Sequence, residues 1–336
     1  MIAEADTIGA GLLILSSYRT EGLAVCFRSC LLIVLLEVIG VRAGLHAGES
    51  GGTDDIVVLR DLAYREGASR QWKLDLAMKK DASGKPRPGI VVIHGGGWIE
   101  GDKSSFSQPK GDVPGNILHF AELGFVAVTI NYRLSSESRF PAQLFDCKTA
   151  VRWLRAHAKE YNLDSDHIGA FGNSAGGHLA LLLGMAGKEE LVGKEALFPD
   201  QSSKVQAVVS DSGPIDLIEQ HRSGVLRQVC SQFMGGAPEG DRVAFYEAAS
   251  PVRLIKPAVA PLLLIYGVDD AQVPVETADK FVLALRQAGV NDVSYYRLAR
   301  TDHCPYSLIR VPTLRPVVDE FFLRTLVGAE VRDGRR

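Results

Sequence analysis

The string Gly172-Asn173-Ser174-Ala175-Gly176 constrains this chain more than any other feature. It follows a short apolar run, His167 to Phe171, and leads into Gly177-His178-Leu179-Ala180-Leu181-Leu182-Leu183. That order reads as strand, sharp turn and helix, with a serine at the bend. A serine there is held in a strained backbone conformation, and its hydroxyl stands clear of the sheet at a helix N-terminus. The flanking glycines follow from the same geometry, because a Cβ beside the bend would clash. The spacing alone is weak: with 34 glycines in 336 residues, G-x-S-x-G arises by chance in roughly one such chain in five. Its weight comes from context and from partners elsewhere in the chain.

The context is a βα rhythm. Trp72 to Met78 alternates apolar and polar, as a half-buried strand does. Ile90 to Ile93 and Phe125 to Ile130 are near-continuous apolar runs, suited to parallel strands covered on both faces. Further strands are expected at Ile168 to Phe171, Val205 to Ser210, Leu262 to Tyr266 and Val293 to Leu298. Helices are expected at Asn116 to Leu123, within Phe140 to Tyr161, at Ala175 to Met185, at Val275 to Ala288 with Gly289 closing it, and at Leu314 to Leu326. Such alternation implies a mainly parallel, doubly wound α/β sheet in one domain, residues 56–327. Residues 186–204 and roughly 217–250 break the rhythm, and the second stretch reads as a small cap over a pocket.

Residues 48–55 form a polar, glycine-rich linker, and 328–336 a C-terminal tail. Before the linker, residues 31–41 are apolar, with Arg19 and Arg28 ahead and small residues behind. This is the layout of an export signal, so residues 1–47 are expected to be a leader and the protein to be periplasmic or secreted. Glu37 inside the apolar core and the length of the leader count against that layout. A retained anchor over residues 23–41, or a cytoplasmic chain with a disordered or packed extension, are the other readings. Of the five cysteines, Cys147, Cys230 and Cys304 lie beyond the leader, either as one disulfide and a free thiol or as three buried thiols. No cysteine or histidine spacing suggests a metal site. The net charge of −3, with acids and bases well mixed, gives no basis for a nucleic-acid partner.

Serine at neutral pH is a poor nucleophile and needs a base, which needs an orienting acid. In open α/β sheets, sites form at the carboxyl ends of strands. Asp269 and Asp270 follow the Leu262 strand, and His303 follows the Val293 strand. Asp270 is preferred on position, with Asp269 as the competing acid, giving Ser174, Asp270 and His303 in chain order. His94-Gly95-Gly96-Gly97-Trp98 follows the Ile90 strand. Glycines there let backbone N–H groups approach a developing oxyanion, so Gly96 and Gly97, with the N–H of Ala175, are the expected donors. Trp98 is expected to line the substrate pocket, with core packing as the alternative, and His94 is read as structural.

These residues resemble a known family. His94-Gly95-Gly96-Gly97-Trp98, Gly101-Asp102-Lys103, Asn131-Tyr132-Arg133-Leu134, Phe140-Pro141-Ala142 and Gly172 to His178 are similar to strings of the α/β-hydrolase carboxylesterases. The HGGG and G-x-S-A-G-G strings resemble the hormone-sensitive-lipase-like branch, and Trp98 with Gly101-Asp102-Lys103 is closer to bacterial carbohydrate esterases of the acetylxylan and feruloyl type. The resemblance implies an α/β-hydrolase fold, Ser174 as nucleophile, Asp270 as acid, His303 as base, and no cofactor. It implies a small-molecule or carbohydrate ester as substrate. Tyr266-Gly267 and Thr301-Asp302-His303-Cys304 depart from the family's usual His-Gly and glycine-rich approach to the histidine. An amidase, arylformamidase or small-peptide hydrolase on the same residues, and a hydrolase-like binding protein without turnover, are the competing readings.

Overall fold

The computed structural model describes residues 55–328 apart from 68, 82–83, 109–112 and 186–196. The leader, most of the linker and most of the C-terminal tail lie outside the described residues. Eight strands form one sheet: β1 (Ile56–Ala63), β2 (Lys73–Lys79), β3 (Arg87–Ile93), β4 (Val126–Ile130), β5 (Leu163–Asn173), β6 (Ala207–Asp211), β7 (Leu262–Gly267) and β8 (Val293–Leu298). Their spatial order is β1-β2-β4-β3-β5-β6-β7-β8. β2 runs antiparallel to β1 and β4, and every pair from β4 through β8 is parallel. This is the α/β-hydrolase fold.

Helices α1 (Ile117–Glu122), α2 (Ala142–Ala156), α3 (Ala175–Met185), α7 (Val275–Gln287) and α8 (Leu314–Phe322) connect or follow the strands. Helices α4 (Leu217–Ser223), α5 (Arg227–Met234) and α6 (Arg242–Ala248) occupy the stretch read as a cap. The sheet separates two apolar layers. One holds Val91, Ile93, Leu144, Leu154 and Leu181; the other holds Ile90, Val92, Phe120, Phe171 and Phe322. Alternate residues of β3 thus enter opposite layers, as the period-two geometry of a strand requires. Cys147, Cys230 and Cys304 are buried free thiols.

Most elements match the pattern in the sequence. β5 is longer than its apolar core, reaching back to Leu163. The first strand, β1, has no expectation to match; its polar Arg60 and Asp61 mask an edge strand. The terminal helix stops at Phe322 and continues as a π turn over Leu323–Val327. No helix among the described residues is long and apolar enough to cross a membrane.

The close packing at the β5–α3 turn positions everything else. A Cβ on Gly176 would overlap the carbonyl oxygen of Ile93, and one on Gly172 would overlap the backbone of Gly176. α3 therefore starts in backbone contact with β3 and β5. Gly176→Ala is expected to destabilise the fold by about 1–3 kcal/mol or more, because backbone atoms on that side have no room to move. A urea denaturation midpoint at pH 7.5 measures it.

Candidate active site

Ser174 sits between the last residue of β5 and the first of α3 with φ 50°, the left-handed region that is costly for a residue with a Cβ. Its N–H donates to the Asp211 carbonyl (2.8 Å) and its carbonyl accepts from His178 N–H (3.0 Å). The serine thus ends the strand and opens the helix with both backbone groups satisfied. Ala175 begins α3, so its N–H has no intrahelical acceptor.

His303 lies in the loop after β8 and Asp270 in the turn after β7. His303 Nδ1 donates to Asp270 Oδ2 at 2.7 Å. The other carboxylate oxygen accepts from the amides of Gln272 (2.9 Å) and Val273 (2.8 Å). Burial pulls the Asp270 carboxyl upward, but the hydrogen bond and charge of His303 and the two amides outweigh it and hold the group below the usual carboxylate range. Asp269 is exposed, and its backbone N–H bonds to the Thr301 carbonyl instead (3.0 Å). His303 Nε2 is buried and has no hydrogen-bond partner among the described residues. With Nδ1 committed to a carboxylate, Nε2 is left as the proton acceptor.

The glycine loop after β3 completes the arrangement. Gly96 (φ 100°) needs a freedom that side-chain-bearing residues rarely have, and a Cβ there would overlap the Glu100 carbonyl; Gly97 (φ 59°) lies in the left-handed region that favours glycine. The loop is anchored from behind. His94 is stacked on Tyr132 (4.4 Å between centroids) and its Nδ1 donates to the Gly95 carbonyl (2.7 Å). Asn131 accepts from Lys103 N–H (2.6 Å) and donates to Asp102 (2.9 Å). Lys103 Nζ reaches the buried Asp75 carboxylate at 2.7 Å. These contacts give the Gly101-Asp102-Lys103 and Asn131-Tyr132 strings a mechanical meaning: they tie the loop to β2 and β4.

Ser174, His303, Gly96 and Gly97 all line one cleft of about 600 Å³. Its walls are largely apolar: Ile99 and Phe106 from the glycine loop, Leu226 and Val229 from the cap, and Leu308. Glu100, Gln272 and Arg310 supply polar groups. Cap residues Leu226 and Val229 carried no signal in the sequence beyond an interrupted βα rhythm. No group of three or more His, Cys, Asp or Glu among the described residues could hold a metal ion.

Trp98 corrects an expectation. It does not line the cleft. Its left-handed backbone (φ 59°), directly after that of Gly97, turns the indole inward. There it is fully buried, stacked on Phe233 of α5 (4.3 Å) and edge-on to His178 (5.1 Å). It joins the cap to the body of the protein rather than meeting substrate.

Residues 74–285 match the BD-FAE family model. The chain belongs to the BD-FAE family. It is 32% identical over 246 residues to "Probable carboxylic ester hydrolase LipM" of Mycobacterium tuberculosis, covering 72% of this chain and 55% of that one. The chain spans about half the length of the curated relatives it matches. A Bacteroides eggerthii bifunctional GH43-CE structure superposes with a TM-score of 0.68 at 28% identity, covering 80% of this chain and 38% of that one. Esterase Est2 of Thermogutta terrifontis superposes with a TM-score of 0.63 at 28% identity, covering 80% and 93%. The resemblance to α/β-hydrolase carboxylesterases of the hormone-sensitive-lipase-like branch is thereby borne out.

Two buried histidines around the site make stability depend on pH. Burial pushes both His94 and His178 down to about 4. Each is depressed when folded, so the unfolded chain binds the extra protons and stability falls as pH drops from about 6.5 towards 4. Asp211, pushed up to about 6 by burial, and Asp146, raised by burial, act in the opposite sense, while His221, lowered by burial, adds to the two histidines. The net loss of unfolding free energy between pH 7.5 and pH 5 is expected to be on the order of 2 kcal/mol. Urea titrations at the two pH values read it.

Proposed function

We propose that this BD-FAE family member is a serine carboxylesterase that works through an acyl-enzyme. One observation carries the reading. His303 is hydrogen-bonded at Nδ1 to a buried carboxylate, has no partner for Nε2 among the described residues, and lines the same cleft as a serine held at a strained strand-to-helix turn.

In this reading His303 Nε2 takes the Ser174 proton as Oγ attacks the acyl carbon. Asp270 holds the imidazole tautomer and stabilises the imidazolium that forms. The carbonyl oxygen, now negative, is met by the N–H groups of Gly97, Gly96 and Ala175, whose positions are fixed before the reaction starts. His303 returns the proton to the departing alkoxide. Water, deprotonated by the same nitrogen, then releases the acid. Support for the nucleophile comes from Est2, which has been solved phosphonylated by sarin.

The substrates proposed are short-chain acyl esters, including acetyl- and feruloyl-type esters of carbohydrates. Est2 structures with propionate and with butyrate bound support the short acyl group. A Caldicellulosiruptor lactoaceticus neighbour described as an acetyl ester-xyloside bifunctional hydrolase supports the carbohydrate alcohol. The cleft has room for an aromatic acyl group, and its apolar walls suit one.

Ser174→Ala is expected to abolish hydrolysis of p-nitrophenyl acetate and labelling by a fluorophosphonate probe. Asp270→Asn is expected to cost about 10⁴ in kcat, because the imidazole tautomer is no longer enforced. Asp269→Asn should stay close to the parent. A panel of acetyl, butyryl, feruloyl and acetylated-sugar esters, with one anilide, reads the substrate class. Absence of both turnover and labelling in the parent chain would identify a binding protein instead.

A further inference from the structure

The interior of the site contains a carboxylate that the mechanism above does not use. Asp211, the last residue of β6, is fully buried. Its Oδ1 accepts from Tyr306 N–H (3.2 Å), and its Oδ2 accepts from the Ser307 N–H (2.8 Å) and the Ser307 hydroxyl (2.7 Å). Its backbone carbonyl accepts from Ser174 N–H (2.8 Å) and faces the Cys304 thiol (3.5 Å). The next residue, Ser212, accepts from Cys304 N–H through Oγ (3.1 Å). Asp211 and Ser212 therefore grip the nucleophile turn with one hand and the chain just past His303 with the other.

Strain collects at the same point. Ser174, Ser212 and Cys304 all have left-handed backbones, with φ of 50°, 53° and 56°. Three such residues of ordinary type, from three separate loops, persist only where surrounding bonds over-determine them. Asp211 supplies part of those bonds: its carbonyl holds Ser174 N–H and faces the Cys304 thiol, and its carboxylate holds Tyr306 and Ser307 just beyond Cys304. The two backbone N–H groups can only donate, the Ser307 hydroxyl is placed to donate as well, and an ionised carboxylate accepts from all three. Holding that charge in a buried place is unfavourable: desolvation is the largest influence on the group and pushes it up to about 6, against the lowering effect of Ser307, Tyr306 and His303. A carboxylate retained against that cost at a junction of two reacting loops points to function rather than stability.

We propose that Asp211 is a positioning residue of the ester hydrolysis proposed above, clamping the His303 loop to the Ser174 turn so that imidazole and hydroxyl stay in register. This rests on that reading. It touches neither substrate nor reacting atoms and acts through Ser307, Tyr306 and the Ser174 amide.

The test is Asp211→Asn, which keeps shape and volume but turns an N–H towards groups that also donate. It is measured beside the parent chain and Ser307→Ala, which removes one of the three donors. Expected for Asp211→Asn is a fall in kcat of about 10–100-fold, as for a small misplacement of reacting groups, with KM for p-nitrophenyl acetate changed less than about threefold. The rate of Ser174 labelling by a fluorophosphonate should fall by a similar factor, and Ser307→Ala should lie between the two. Parent-like kcat and labelling in Asp211→Asn would overturn the inference, and so would a loss confined to KM. If Asp211→Asn does not fold, Ser307→Ala decides: a lower kcat at constant KM supports the clamp, and parent-like kcat overturns it. A parent chain that neither turns over nor labels removes the esterase reading and this inference with it. A parent that labels beside a variant that labels equally fast removes only the role of Asp211.

Discussion

The site depends on how closely α3 can approach the sheet. Gly172 and Gly176 leave no side chain between β5, the start of α3 and the end of β3, so three backbones touch. Ser174 occupies the single position where the chain reverses, and its left-handed conformation is held by the Asp211 carbonyl on one side and the helix on the other. One geometric fact then delivers two chemical parts. The bend lifts the hydroxyl away from the sheet, and the same bend exposes the first N–H of α3 because helix geometry gives it no partner. In the proposed reading, nucleophile and oxyanion donor are inseparable consequences of one turn.

The rest of the machinery is arranged around that turn at some cost to the fold. His94 and His178 are kept neutral by burial, each with one ring nitrogen unpaired among the described residues. Each nonetheless has a task. His94 stacks on Tyr132 beneath the glycine loop, while His178 donates to the Ala249 carbonyl (2.7 Å) and so ties α3 to the end of the cap. Lys103 is nearly as buried but is paired to Asp75 and Asp61. Apolar replacements would cost less desolvation but could not aim a backbone loop. The polar interior of this protein is concentrated where loops must be held in fixed positions.

The sequence shows these features unequally. The turn is legible because its steric demand leaves glycines at fixed spacing, and His303 and Asp270 are legible because parallel strands deliver residues to one edge of the sheet. Asp270 could be preferred over Asp269 on position, and the structure gives it the hydrogen bond to His303. Trp98 was not legible in the same way. Its place beside Gly97 says that it is near the loop, but its direction is set by a left-handed φ and by Phe233, a partner that folds in from the cap. Asp211 was hidden for a related reason. An acid at the end of an apolar run looks like a strand leaving the core, and its partners at 306 and 307 lie in a loop with no periodic signal. β1 escaped notice because an edge strand carries polar residues that blur its alternation.

The division of labour in the cleft follows from the topology. Ser174, Asp270, His303 and the glycine loop all come from the carboxyl ends of β5, β7, β8 and β3, fixed by the sheet. The apolar walls come largely from excursions: Leu226 and Val229 from the cap, Leu308 from the loop beyond His303. Val229 lies close enough to Gly97 that a Cβ there would meet it at 2.9 Å, so the cap reaches the glycine loop itself. That contact is one of the places where the cap presses on the body of the fold. A change in the cap can therefore reshape the cleft beside the glycine loop while leaving Ser174 and His303 at the ends of their strands. Trp98, locked between Phe233 and His178, transmits the position of α5 to the same loop from the other side. The cap also meets the acid turn, where Gln220 Nε2 of α4 donates to the Gln272 carbonyl (2.6 Å), so it touches the glycine loop and the Asp270 turn alike.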